Sequence, residues 1–118
     1  MLREQTPEGT NLLLLGYQQV NWDRLNAVSK ITLYKVLREL MINMRKHSAA
    51  QRVTLKFSNA SQQLEVTYTD NGRGASTADL QLRNGLQITE KRILAIGGTL
   101  TFETEPGTGF KAVIKLPY

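Results

Sequence analysis

Glu39, Asn43, Lys46 and His47, within the stretch RELMINMRKHS, have the residue types and spacing to do chemistry together. Positions i, i+4, i+7 and i+8 share one face of an α-helix. A carboxamide oxygen can ligate magnesium, a lysine can meet phosphate, and a carboxylate can orient or deprotonate a nucleophile. On that reading the line is a pocket wall. A plain solvated face, with Glu39 and Asn43 spaced only for a local side-chain contact, accounts for the same residues. The helix by itself leaves both readings open.

Two glycine-bearing stretches bear on the choice. DNGRG places Asp70 at a strand end, with Gly72 and Gly74 following. Glycine allows positive φ and close approach of a ligand to backbone, and a carboxylate can accept a hydrogen bond from an exocyclic amine such as that of adenine. Asp-Asn-Gly is also ordinary turn chemistry. RNGLQITEKR places Gly85 at an expected helix start, where free amides and the positive end of the dipole favour phosphate. An ordinary loop-to-helix junction would read the same way.

These residues must be positioned by regular elements. NLLLLGYQQV reads as a strand, and Asp23 or Ser29 is placed to cap a following helix. From about Ser29 to Ser48, Leu33, Leu37, Leu40 and Met44 recur at three- and four-residue steps, which predicts a helix with one apolar face. RVTLKFS and QLEVTYT alternate apolar and polar residues around NASQ and predict a β-hairpin. Residues 75–84 read as irregular. GLQITEKRILAIGG carries Leu86, Ile93 and Ile96 on a helical repeat and stops at two glycines. TLTFETE and FKAVIKLP are strands joined by PGTG. The expected architecture is an α+β two-layer sandwich, a mostly antiparallel mixed sheet of about five strands with helices on one face. Residues 1–11 read as a linker or a remnant of a preceding domain, and residues 12–118 as one domain.

Composition narrows the function classes. The chain has 118 residues, no cysteine and one histidine. Disulfides, iron–sulfur clusters, thiol-ligated zinc and multi-histidine metal sites are therefore excluded. No apolar run is long enough to span a bilayer, so a cytoplasmic location without direct membrane contact is expected, although a parent protein can still be membrane-anchored. The net charge of +5 suits anionic partners. Its cations are spread along the chain, and four Tyr, three Phe and one Trp show no basic–aromatic pattern, so nucleic acid is not an expected partner.

ELMINMRKH, then DNGRG, then NGLQITEKR…GG, then GTG, in this order, resembles the four ATP-binding boxes of the sensor histidine kinases. It is also similar to the wider superfamily of gyrase B, the mismatch-repair ATPases and the ninety-kilodalton heat-shock chaperone. The resemblance covers residues 29 to 117. It implies the Bergerat ATP-binding fold, in a short-lid subfamily that works with helix-turn-helix response regulators.

The resemblance also implies roles. Asn43 ligates Mg2+, Lys46 and His47 face the phosphates of ATP, and Glu39 stands beside the reacting γ-phosphate as the catalytic residue. Asp70 binds the adenine amine, and Gly72 and Gly74 make room near the base. Gly85 and Leu86 match the lid end and the helix start whose amides receive phosphate. Arg92, Gly97 and Gly98 match positions that are more often structural. The implied partner is an acceptor-histidine dimerisation domain of the same kinase, and indirectly a response regulator. His47 belongs to the ATP pocket and cannot be that acceptor.

Three departures stand out. Arg83 replaces a lid glycine and should stiffen the hinge. Phe110 stands where many members have Thr or Ser, which removes a water-mediated contact near adenine. Met44 replaces a common alanine. Two other readings share the motifs: a serine kinase of the anti-sigma-factor type, whose glycine- and methionine-rich lid exit is missing here, and a non-catalytic nucleotide-binding interaction module.

Overall fold

The computed structural model describes residues 11–47, 52–60, 62–70, 80–105 and 109–118. Five strands and two long helices follow one another as β1 (Asn11–Leu15), α1 (Ala27–His47), β2 (Arg52–Ala60), β3 (Gln63–Asp70), α2 (Leu80–Ala95), β4 (Thr99–Glu105) and β5 (Gly109–Pro117). Short 3-10 turns at Tyr17–Gln19 and Trp22–Arg24 link β1 to α1. The strands form one sheet in the order β1-β2-β3-β5-β4. β1 runs parallel to β2, and every other pair is antiparallel. The expected mixed α+β sandwich is therefore what the chain forms.

The parallel pair follows from α1, which carries the chain back across the sheet before β2 begins. A parallel neighbour needs such a crossover. Gly16 makes the exit from β1 possible. Its φ is +78°, and a Cβ there would lie 2.2 Å from the Phe57 carbonyl oxygen. Only glycine fits that position without moving backbone.

The start of α1 differs from expectation. Asp23 sits in a 3-10 turn, and Ser29 lies inside the helix. The cap is Asn26, whose Oδ1 accepts the Ser29 backbone N–H at 2.8 Å. That is the N-cap to N3 geometry of a capping asparagine. The end of α2 is as expected. Gly98 N–H donates to the Ile93 carbonyl and Gly97 N–H to the Leu94 carbonyl, both at 3.0 Å. With Gly97 at φ +85°, this is a Schellman stop.

Both helices cover one face of the sheet. Leu33, Val36, Leu37, Leu40 and Met41 of α1 join Leu86 and Ile93 of α2 in one buried cluster with Val53, Leu55, Leu64, Val66, Tyr68, Ala112, Ile114 and Leu116. Each buried Leu or Ile contributes about 1.5–3 kcal/mol by leaving water. The three described residues of the expected α1 stripe, Leu33, Leu37 and Leu40, are all buried. β3 alternates strictly, so Leu64, Val66, Tyr68 and Asp70 all point toward the helices. The hairpin β2–β3 pairs as far as Ala60 with Gln63, closer to the turn than NASQ suggested.

Candidate functional site

Asp70 ends the inward row of β3. Three apolar residues precede or flank it: Tyr68 two positions earlier, Val53 opposite on β2 and Phe110 opposite on β5. Its exposure is 8%. A carboxylate so placed needs hydrogen-bond donors to replace lost water. Tyr68 supplies one, its hydroxyl donating to Asp70 Oδ2 at 2.9 Å. Burial pushes the Tyr68 phenol far above its ordinary value of 10.0, and the charge and hydrogen bond of Asp70 push the same way. The phenol therefore remains a donor across the neutral range.

The Tyr68 ring is itself held in place. It meets Phe110 edge-on with ring centroids 5.9 Å apart, and Phe110 stacks on Phe102 at 6.4 Å. Edge-on and offset ring pairs at such distances are favourable. Phe110 thus forms an apolar wall beside Asp70. The buried side chain of Leu86 adds to the same cluster from α2.

A second polar cluster lies between the helices. Glu39 of α1 accepts from Thr89 Oγ1 of α2 at 3.5 Å and pairs with the Arg92 guanidinium, also of α2. Thr89 is fully buried. The Glu39–Arg92 pair borders an open groove of about 710 Å³ that also takes in Lys35, Arg38 and Ile42. Glu39 therefore ties α1 to α2. α1 continues unbroken to His47, so the backbone of Asn43, Lys46 and His47 extends the helical line that Glu39 begins. The side chains of these three lie outside the described residues, as do Gly72 and Gly74 entirely.

Gly85 requires a correction. The expectation put it at a helix start, but α2 begins at Leu80. Gly85 is the sixth residue of the helix, and its amide and that of Leu86 fall within the hydrogen-bonded ladder. The unpaired amides of a helix are its first four, here those of residues 80–83. Part of the segment read as irregular, residues 80–84, is thus helical. LQLR consists of good helix formers, and an internal glycine costs only about 1 kcal/mol.

Tyr68 is the partner of Asp70 that pattern reading missed. It was read as one apolar position of an alternating strand. The period of two that placed it inward also placed Asp70 two positions later on the same face, and that parity was the available signal. The Thr89 and Arg92 contacts with Glu39 carried no such signal.

Residues 29–118 match the family described as histidine kinase-, DNA gyrase B- and HSP90-like ATPase. The chain is 30% identical over 95 residues to the sensor histidine kinase ComP of Bacillus subtilis, covering 78% of this chain and 12% of that protein. It is 29% identical over 117 residues to the signal transduction histidine-protein kinase/phosphatase UhpB of Salmonella typhimurium, covering 99% of this chain and 23% of that one. The chain thus spans less than a quarter of the length of either relative. Its fold is similar to the histidine kinase domain of the Erythrobacter litoralis EL346 blue-light activated histidine kinase, with a TM-score of 0.76 at 21% identity, over 98% of this chain and 54% of that one. The Acinetobacter baumannii histidine kinase AdeS gives 0.62 at 23% identity, over 75% and 46%.

Proposed function

Because the chain belongs to the histidine kinase-, DNA gyrase B- and HSP90-like ATPase family, we propose that it binds Mg-ATP and supplies the γ-phosphate to a histidine on a separate dimerisation domain of a two-component sensor kinase. The observation that carries the reading is the buried Asp70 carboxylate, oriented by Tyr68 at the end of β3. An acceptor in an apolar rim suits the adenine amine. Both relatives named above are histidine kinases, which favours this reading over an anti-sigma-type serine kinase.

In phosphoryl transfer the protein mainly positions groups and neutralises charge. Asn43 is proposed to offer its side-chain oxygen to Mg2+, which when bound would neutralise phosphate charge. Lys46 and His47 neutralise phosphate charge, and Gly72 and Gly74 leave room beside the base. The helix-end amides suited to phosphate are those of the first turn of α2, at residues 80–83, rather than those of Gly85 and Leu86. Glu39, steered by Thr89 and Arg92, stands at the γ-phosphate end of the line. In the transfer itself the acceptor imidazole nitrogen bonds to the γ-phosphorus. The bond to the β,γ-bridging oxygen breaks, ADP leaves, and the imidazole gives up its proton. A response regulator then receives the phosphoryl group. No described helix is long and apolar enough to cross a membrane, and the domain is proposed to work in the cytoplasm.

Titration calorimetry tests the binding step. The chain is expected to bind Mg-ATP with micromolar to submillimolar affinity, and to phosphorylate the acceptor domain of its parent kinase when the two are mixed. A folded sample that takes up no Mg-ATP would reject the reading.

A further inference from the structure

We propose that Tyr68 is a positioning residue for base recognition, its hydroxyl orienting the Asp70 carboxylate so that the pocket selects purines bearing an exocyclic amine. The inference rests on the Mg-ATP reading above and adds to it a determinant of selectivity.

Three observations support it. The Tyr68 hydroxyl donates to Asp70 Oδ2 at 2.9 Å, with Tyr68 only 1% exposed. The two side chains stand two residues apart on the inward face of β3, so backbone geometry holds them together without help from a loop. The ring cannot swing away, because Leu55 and Ala112 lie opposite it on the neighbouring strands and Phe110 meets it edge-on.

A carboxylate turns about its last bond unless a donor holds it. Its two oxygens accept up to about four hydrogen bonds, and a phenol hydroxyl uses one of those places. A carboxylate held in this way keeps its orientation when a further donor arrives. A pre-oriented acceptor binds its donor more tightly, because the rotation need not be frozen on binding. An amine gains from this arrangement. A hydrogen at the same ring position leaves the acceptor without its new partner, and a carbonyl brings acceptor against acceptor.

The test compares Mg-ATP with the magnesium complex of purine riboside triphosphate, which lacks only the exocyclic amine. Both are titrated into the wild-type chain and into Tyr68→Phe. The wild-type chain should prefer ATP. The variant should lose ATP affinity by on the order of tenfold, the scale of one hydrogen bond to a charged group. Its affinity for the amine-free analogue should stay within about twofold, so that the preference collapses. An equal fall for both ligands means that Tyr68 serves only the fold and overturns the proposal. Unchanged ATP affinity overturns it while leaving the Mg-ATP reading intact. A wild-type chain that binds neither ligand overturns both.

If the variant fails to fold, the wild-type chain carries the test through the Tyr68 hydroxyl proton in NMR spectra. Its resonance should move further with Mg-ATP than with the analogue. The same response to both ligands would overturn the proposal.

Discussion

Replacing Asp70 by asparagine removes one charge and almost no volume. The structure says how the new amide would settle. The Tyr68 hydroxyl donates to this side chain at 2.9 Å, and burial, which does not depend on the Asp70 charge, keeps that phenol protonated in the variant. Asparagine would turn its oxygen toward the hydroxyl and present its NH2 to whatever enters the pocket. An adenine amine would then meet a donor instead of an acceptor. A hydrogen bond to a charged group contributes about 1.5–3 kcal/mol, so Asp70→Asn should weaken Mg-ATP binding by about 10- to 150-fold. Calorimetry on wild type and variant measures the ratio, and thermal unfolding confirms that both are folded. A folded variant with an affinity within about twofold of wild type would refute the reasoning.

Tyr68 also makes stability depend on alkaline pH. Its phenol is raised above 10.0 in the folded chain. Below about pH 10 both states hold the proton; above it the unfolded chain releases the proton and gains, so stability falls by about 1.4 kcal/mol per pH unit for this group. Urea unfolding between about pH 10 and 11.5 should show a shallower decline for Tyr68→Phe; equal slopes would contradict the burial argument. Gly16→Ala must accept φ +78° and displace the Phe57 carbonyl, and should cost at least about 1–2 kcal/mol. A loss under about 0.5 kcal/mol in denaturant titration would show that the turn relaxes freely. The Glu39–Arg92 pair keeps side-chain exposures of 36% and 46%, so Arg92→Gln should cost no more than about 1 kcal/mol, less at high salt. A larger, salt-independent loss would mean that the pair is structural in its own right. Leu40→Ala, in the core, should cost about 2–5 kcal/mol, while Leu13→Ala, on a half-exposed side chain, should stay within about 0.5 kcal/mol. Similar losses at both positions would contradict the assignment of the buried face.

Local signals in the chain read well. The β2–β3 and β4–β5 hairpins, the α1 stripe and the Gly97–Gly98 stop each depend on residues a few positions apart. What stayed hidden depends on distant or competing groups. β1 pairs parallel to β2 across the whole of α1, and no short window records that. The cap fell to Asn26 because a 3-10 turn took up Asp23 and Ser29 already lies inside the helix. The start of α2 was misplaced because Gly85 was read as a boundary, whereas the good helix formers before it outweigh its modest cost. Asp70 was singled out from its strand-end position beside two glycines, and the structure places it at the end of β3. Its partner Tyr68 was passed over because alternation marked it as apolar core, and its hydroxyl gained meaning only once the face it shares with Asp70 was considered. Phe110 was noted as a departure from the common pattern, but its place against Tyr68 required the β3–β5 register.

The most direct trial of the account is a crystal structure of the chain with magnesium and a non-hydrolysable ATP analogue. The exocyclic amine of the base should lie within hydrogen-bond distance of the Asp70 carboxylate. The triphosphate should run toward the Asn43, Lys46 and His47 turn of α1, with the metal on the Asn43 oxygen. A nucleotide seated in the outer groove beside Lys35 and Arg38, or a base that leaves Asp70 untouched, would contradict it.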